Sequence, residues 1–365
     1  MRLEPRDQAP LALTVLAPVA AAFAALVVAA VPLAWAGADI GRAFGLMIEG
    51  SVGNSLALTE TLTRAAPLIL TGLAAAVAFR AKLWNIGAEG QLYMGALAAI
   101  AVSMAVAPAD PFAEMDPDSL GAAGWFMIPA TLIAGAVAGA LMMLGPTILK
   151  LNLGVDEVVT TLLMNFVVLL FLGWMLEGPM QDPMGMGWPQ TIPVADAGVL
   201  PKLVPRTRLH VGLLIGLVIA VLTWLAIAHT VWGYRVRAVG LNPRAAAFAG
   251  IPVWRTMLTV GAFSGALAGL AGAVEVAGSK GYVTSDLSPG FGYTGIVVAM
   301  LAQLSPLGVV LSALFLSAVF VGADSMSREL SVSSYLANFV VASALLTMLI
   351  AGLFTRFRLR FGQAG

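Results

Sequence analysis

The chain has 365 residues, of which 60% are hydrophobic and 10% are charged, and its mean hydropathy is +0.94. Soluble domains carry about 25% charged residues, so this composition indicates an integral membrane protein. The formal net charge is zero, which gives no electrostatic reason to expect nucleic acid binding. The chain has no cysteine and only two histidines, which excludes disulfides and thiolate metal sites and makes a metal centre unexpected.

Apolar runs of spanning length recur along the chain. The first, 11–33, is too long for the hydrophobic region of a signal peptide, so we predict a retained first helix. Residues 39–64 mix charged and apolar side chains, which predicts either an amphipathic helix on the membrane surface or a plain polar loop. Further helices are predicted at about 65–80, 87–107, 124–147, 155–176, 209–229, 256–277 and 333–354, with two shorter runs at 293–304 and 307–322.

These runs predict an all-α, polytopic membrane protein with eight to ten transmembrane helices in a single domain, 1–365. The two short runs are separated by Ser305-Pro306 and form either a broken span or a re-entrant pair. An acidic connection, 109–123, and a proline-rich loop, 178–208, are expected outside the cytoplasm, and the basic segment 230–255 inside it. The positive-inside rule then places both the N- and C-termini in the cytoplasm.

Polar side chains near the hydrocarbon are the candidates for a solute path. They occur in the glycine-rich turn around Trp84, Asn85, Glu89 and Gln91. Such groups usually face protein or a water-filled cavity, although this stretch also fits a short cytoplasmic turn. A second set shares one face of a helix through its i, i+4, i+8 spacing and either lines a path or forms interhelical hydrogen bonds: Glu157, Thr161 and Asn165.

Three other patterns indicate packing, partner contact and the absence of catalysis. The stripe Gly261, Gly265 and Gly269 is typical of close helix packing. Asn242 and Pro243 predict the start of a short helix that ends at Gly250, on a surface suited to a partner. The run 290–295 matches G-x-G-x-x-G, but no strand precedes it, and there is neither a P-loop nor a nucleophile–base set, so no catalytic residues are predicted.

Several stretches resemble the permeases of ABC importers of the ribose and branched-chain amino-acid type, over about 60–355. GLNPRAAAFAGI is similar to their cytoplasmic coupling-helix motif. LTRAAPLILTGLAAAVAFRA and LWNIGAEGQLYMGALAA resemble the subgroup linked to nucleoside uptake, as do LNLGVDEVVTTLLMN and GYTGIVVAMLAQLSPLGVVLSALF. In one respect the chain departs from the pattern, since AMLAQLSP stands where many members have a glycine near Ala302.

The resemblance implies one half of a transmembrane pathway in the bacterial cytoplasmic (inner) membrane. Its partners would be a second, related permease, a cytoplasmic ABC ATPase carrying ATP-Mg, and an extracytoplasmic substrate-binding lipoprotein, with no cofactor bound by this chain. Alternatives are a permease for simple sugars or branched-chain amino acids, an ion-coupled secondary transporter with Glu89 as its midplane acid, and a membrane scaffold. The substrate pathway is assigned to Trp84, Asn85, Glu89, Gln91, Glu157, Thr161 and Asn165, and ATPase coupling to Arg237, Gly240, Asn242, Ala245, Ala246, Gly250 and Ile251.

Overall fold

The computed structural model describes residues 2–5, 11–106 and 122–360, so most of the predicted connection 109–123 lies outside the described residues. Within them the chain is helical apart from a two-stranded antiparallel ribbon, β1 Arg2–Pro5 with β2 Phe357–Arg360. The helices are α1 Leu11–Trp35, α2 Ile40–Val52, α3 Ser55–Arg80, α4 Ala88–Val106, α5 Ala122–Leu153, α6 Glu157–Leu176, α7 Gly212–His229, α8 Val231–Leu241, α9 Pro243–Phe248, α10 Val253–Glu275, α11 Phe291–Leu301, α12 Pro306–Glu329 and α13 Ser334–Arg356.

Many of these helices are long and apolar enough to cross a membrane. Among the described residues six meet that condition: α3, α5, α6, α7, α10 and α12. A seventh span results if the pair Phe23–Trp35 and Ile40–Val52, bent by 120°, is counted as one. The protein is therefore a helical, multi-pass membrane protein.

The segment 39–64, predicted as either a surface helix or a polar loop, is divided between two helices. Asp39 caps α2 by accepting a hydrogen bond from the Arg42 N–H at 2.8 Å. Asn54 caps α3 in the same way, because its Oδ1 accepts from the Ala57 N–H at 2.8 Å. The helix predicted at 65–80 therefore begins ten residues earlier, at Ser55, since an N-cap amide starts a helix wherever it satisfies the free N–H groups of the first turn.

The chain divides into two compact units. The first consists of Met1–Thr61 with Phe315–Gly365. In it α1 packs against α13, and a small core is formed by Ala29, Leu33, Ala43, Met326 and Val340. The pairing of β1 with β2 brings the two ends of the described chain together, so both ends lie on the same side of this unit.

The second unit, Leu62–Leu314, holds the residues singled out from the sequence. In it α10 lies against both α4 and α5, and α4 also lies against α6 and α11. The short run before Ser305-Pro306 is α11, a helix of 11 residues. At about 1.5 Å per residue it covers roughly half of the ~30 Å hydrocarbon layer, so it is a half-helix, whereas α12, with 24 residues, has spanning length.

Candidate functional site

The connection between α3 and α4 enters the interior of the second unit. Asn85 is fully buried, and its Nδ2 donates to the Ser264 Oγ at 2.9 Å. Ser264 lies in the middle of α10, and its hydroxyl donates in turn to the Ala74 carbonyl within α3 at 2.8 Å. The connection that leads into α4 therefore lies beside the middle of α10. This places a non-helical stretch inside the helix bundle.

A pair of amides closes this stretch from within. Asn85 Nδ2 donates to Gln91 Oε1 at 2.8 Å, and Gln91 Nε2 donates back to Asn85 Oδ1 at 3.0 Å. The Gly87 N–H also donates to Asn85 Oδ1 at 3.0 Å. Since each amide supplies the donor and acceptor that the other needs, two strongly polar groups are buried without unsatisfied atoms.

The polar face of α6 supplies partners to the same stretch in three successive contacts. The Trp84 N–H donates to Glu157 Oε1 at 3.2 Å, and the Ile86 N–H donates to Thr161 Oγ1 at 3.2 Å. Asn165 accepts from the Gly90 N–H and donates to the Ile86 carbonyl, both at 2.9 Å. Non-helical backbone surrounded by lipid would need such partners, because lipid offers no hydrogen-bonding groups. The i, i+4, i+8 spacing on α6 places one polar side chain beside each of three successive parts of this stretch.

An ion pair holds one end of this arrangement. Lys150, at the end of α5, donates to Glu157 at the start of α6 and also to the Lys82 carbonyl, at 3.2 Å. Lys82 has a φ of +55°, in the left-handed region, where the chain leaves α3. Side chains at the end of α5 and the start of α6 thus bind backbone groups of the connection between α3 and α4.

Burial separates the seven residues assigned to a substrate pathway. Six of them are buried and make hydrogen bonds within the chain: Asn85, Glu89, Gln91, Glu157, Thr161 and Asn165. Glu89 lies in α4 and accepts a hydrogen bond from the Gly292 N–H in the first turn of α11. Trp84 alone of the seven is exposed, at 42%, with its ring 4.6 Å from that of Phe79. For Glu157, Thr161 and Asn165 these contacts are the interhelical hydrogen bonds of the alternative interpretation, and the pathway role of all seven residues stays a prediction.

The glycine stripe of α10 faces α5. A Cβ at Gly265 would lie 2.3 Å from the Gly139 carbonyl oxygen, and one at Gly269 would lie 2.2 Å from that of Gly135. No side chain fits at such distances, so the two backbones are in direct contact through paired glycines. A Cβ at Gly261 would lie 2.5 Å from the Thr147 hydroxyl oxygen. The stripe is therefore used inside the chain, and it gives no support to pairing with a second permease.

The segment 230–255 folds into two short helices. Asn242 Oδ1 accepts from the Arg244 and Ala245 N–H groups at 3.0 and 3.1 Å, with Pro243 in the first turn of α9. The helix ends at Phe248. Just beyond it Gly250 has a φ of +79°, and the Ile251 N–H donates to the Ala246 carbonyl at 3.0 Å. The sequence signals for this capped helix correspond to real hydrogen bonds at both of its ends.

The side chains of this segment divide into an inner and an outer set. Gly240 lies so close to α3 that a Cβ there would be 1.9 Å from the Arg80 carbonyl oxygen, and Arg237 donates to the Ile227 carbonyl. Ala246 is only 4% exposed, so its side chain faces its own chain, and its assignment to ATPase coupling stays a prediction. Phe248 is 96% exposed and Leu241 80%. Sequence reasoning passed over both because it followed the small residues of the motif.

At the opposite end of α10 from this segment, the proline-rich loop packs on the residues that follow the helix. The Val194 N–H donates to the Gly281 carbonyl at 2.7 Å and the Leu200 N–H to the Ala277 carbonyl at 2.9 Å. His210 is fully buried beneath the loop, where its Nδ1 accepts from the Gly212 N–H at 3.1 Å. Burial, with a contribution from the nearby charge of Lys202, lowers the pKa of His210 to about 4, so the imidazole is neutral at physiological pH.

The geometry defines a multi-pass helical membrane protein with a polar, internally bonded centre and a capped helix pair at one end. A family described as "branched-chain amino acid transport system / permease component" matches residues 57–354. The chain belongs to that family. It is a permease subunit of an ABC transporter, a transport component rather than an enzyme, and the resemblance inferred from its motifs is confirmed.

Relatives match over most of their length. The glucose ABC transporter permease protein TsgB13 of Haloferax volcanii is 35% identical over 98% of this chain and 93% of its own. The guanosine ABC transporter permease protein NupP of Bacillus subtilis is 32% identical over 91% of this chain and 92% of its own. The nucleoside ABC transporter permease protein NupB of Lactococcus lactis is 34% identical over 76% of this chain and 75% of its own. Each of the last two organisms has a second matching permease, NupQ at 28% and NupC at 25% identity.

Proposed function

We propose that this permease carries nucleosides, as part of an ATP-driven importer in the bacterial cytoplasmic membrane. The observation that supports this substrate is the match to NupP and NupB, at 32% and 34% identity over three quarters or more of both chains. It agrees with the four sequence stretches typical of the nucleoside-uptake subgroup. A neutral solute also fits the second unit, because the acid groups Glu89 and Glu157 are already bonded within the protein.

Glucose, or another simple sugar, is the second candidate. It is favoured by the match to TsgB13, which is 35% identical to this chain. The experiment that separates the two is uptake by cells that lack their own nucleoside and glucose transporters and express the complete transporter. We expect the cells to take up labelled guanosine or cytidine, and we expect unlabelled glucose not to inhibit this uptake. Glucose uptake without nucleoside uptake would overturn the proposal.

In this proposal the chain has eight to ten spans, with both termini and segment 230–255 in the cytoplasm. ATP-Mg is bound by a separate ATPase, and this chain holds no cofactor. The outer surface of the α8–α9 pair, with Phe248 96% exposed and Leu241 80%, is the part of segment 230–255 that would meet the ATPase. Two large apolar side chains exposed on one short helix pair make this surface the candidate for the ATPase contact.

The other half of the pathway would be a second, related permease. Supporting this, Bacillus subtilis and Lactococcus lactis each have two different matching permeases. The test is to purify this chain with the ATPase, with and without the neighbouring permease, and to measure the mass of each assembly. A transport-competent complex with two copies of this chain and no second permease would contradict the heterodimer. An extracytoplasmic binding lipoprotein would deliver substrate to this pair.

A further inference from the structure

The half-helix α11 has its N-terminus inside the second unit, where its free N–H groups need acceptors. The first four N–H groups of a helix have no partner within it. Ser288 Oγ accepts from the Phe291 N–H at 2.9 Å, and Glu89 Oε2 accepts from the Gly292 N–H at 2.6 Å. The Glu89 carboxylate is also within hydrogen-bond reach of the Gly290 and Tyr293 N–H groups and of the Ser288 hydroxyl. One side chain of α4 therefore caps a helix that follows it by two hundred residues.

The polar groups around Glu89 favour an ionised carboxyl and act against its burial, which disfavours the charge. Its neighbours are three backbone N–H groups and one hydroxyl, and all of them can donate. An ionised carboxylate only accepts hydrogen bonds, whereas a protonated one needs an acceptor for its own proton. Glu89 also lies in the first turn of α4, so it stands at the N-termini of two helices, α4 and α11. The positive ends of both helix dipoles favour an anion at this point.

The other end of α11 is held by a cation. Arg80, the last residue of α3, donates from its Nε to the Leu304 carbonyl at 2.9 Å. Leu304 lies in the turn that follows α11, where it has a φ of +60°, and its own N–H donates to the Ala299 carbonyl at 2.8 Å. A guanidinium at a helix C-terminus complements the negative end of the dipole. The two charged side chains that flank the α3–α4 connection thus match the two ends of α11.

Glycines allow the close approach that these contacts require. A Cβ at Gly292 would lie 2.2 Å from the Glu89 backbone nitrogen, and one at Gly295 would lie 2.6 Å from the Thr71 hydroxyl. Gly290 has a φ of +90°, which begins the helix. The G-x-G-x-x-G run therefore has a packing explanation here, one glycine for the turn and two for contact with α4 and α3.

We infer that Arg80 and Glu89 form a charged clamp that holds the half-helix α11 against α3 and α4, with Glu89 acting as a built-in anion. Both are positioning residues. Glu89 then holds α11 in position and does not contact the solute. This differs from the pathway role predicted for it from the sequence. The inference goes beyond the proposed function, and its test does not depend on which solute is carried.

The chain has no cysteine, so a single introduced thiol reports on α11 without background. Ala299 on α11 and Ala220 on α7 are both fully buried. Ala299→Cys measures release of α11, and Ala220→Cys measures general loosening of the unit. Each would be labelled with a maleimide on the full chain in lipid nanodiscs, alone and combined with Glu89→Gln or Glu89→Asp.

Glu89→Gln keeps the shape of the side chain but loses its charge, so we expect labelling at Ala299→Cys to rise about tenfold or more, with little change at Ala220→Cys. Glu89→Asp keeps the charge and should stay nearer to the parent rate. Equal labelling of Glu89→Gln and the parent at position 299, or an equal rise at both reporters, would overturn the clamp.

Chemical rescue tests the anion itself. Glu89→Ala leaves a site lined by N–H donors, which formate should fill and neutral formamide should not. Formate is expected to recover about half or more of the Tm lost in Glu89→Ala. Asn85→Ala, a buried polar residue of the same stretch, is the matched control and should not respond. A failure of formate, or an equal effect of formamide, would contradict the built-in anion; if Glu89→Ala does not accumulate, the comparison of Gln with Asp decides.

Discussion

Replacing Asn165 by leucine separates a packing role of the polar α6 face from a pathway role. Asn165 is 1% exposed and makes three hydrogen bonds, to the Gly90 N–H, the Ile86 carbonyl and the Tyr293 hydroxyl, the last at 3.1 Å. Leucine has a similar size but can make none of them. The Gly90 N–H belongs to the first turn of α4, so it has no other partner within that helix.

The expected loss follows from the groups left unpaired. A buried donor or acceptor without a partner costs about 1–3 kcal/mol. Gly90 is buried and Ile86 is half-buried. The unpaired Gly90 N–H therefore has the full cost and the unpaired Ile86 carbonyl part of it, so the free energy of unfolding should fall by about 2–4 kcal/mol. At an unfolding entropy of about 2.1 cal/mol/K per residue, that loss corresponds to a fall in Tm of about 3–5 °C for a chain of this length.

The assay is thermal unfolding of the purified permease in detergent, followed by intrinsic fluorescence. Thr223→Val is the matched control, because Thr223 is 1% exposed and its hydroxyl has no hydrogen-bond partner among the described residues. It should leave the Tm unchanged or raise it slightly. Asn165→Leu with a wild-type Tm and reduced uptake would refute the packing argument and favour a residue in contact with the solute.

Three further predictions concern other parts of the chain. Gly269→Ala should destabilise by about 1–3 kcal/mol, since the new methyl would meet the Gly135 carbonyl, whereas Gly173→Ala, with open space around it, should not; unfolding by denaturant compares them. Phe248→Ala should weaken co-purification of the ATPase without lowering the Tm of the isolated permease; a lower Tm and intact co-purification would contradict this. Burial lowers the pKa of His210 from 6.5 to about 4, so the unfolded chain binds its proton more readily. Stability from this group is complete above pH 6.5 and falls by up to about 3 kcal/mol toward pH 4, and a Tm–pH profile of His210→Gln should lack that fall.

Local signals in the sequence predicted the helices and the segment 230–255 well. Apolar runs of spanning length mark most helices, and Asn242, Pro243 and Gly250 mark both ends of α9, because caps depend on neighbours three or four residues away. The earlier start of α3 was missed although the signal was present in Asn54, since the charged residues after it suggested a surface segment.

The partners of the buried polar residues could not be predicted, because they come from distant parts of the chain. Thr161 and Asn165 were placed on one face by their spacing, but their contacts with Ile86 and Gly90 lie 75 residues away. The bond from Gly292 to Glu89 joins residues 203 apart. Spacing along a helix defines which side chains share a face, and only the packed structure defines what that face meets.

The long separation between the α3–α4 connection and α6 has a consequence for biosynthesis. When α3 and α4 enter the membrane, the backbone groups of Trp84, Ile86 and Gly90 have no partners, because Glu157, Thr161 and Asn165 have yet to be translated. Unsatisfied backbone groups are strongly unfavourable in lipid. The connection between α3 and α4 can therefore reach its final set of hydrogen bonds only after α6 has been made and has packed beside it.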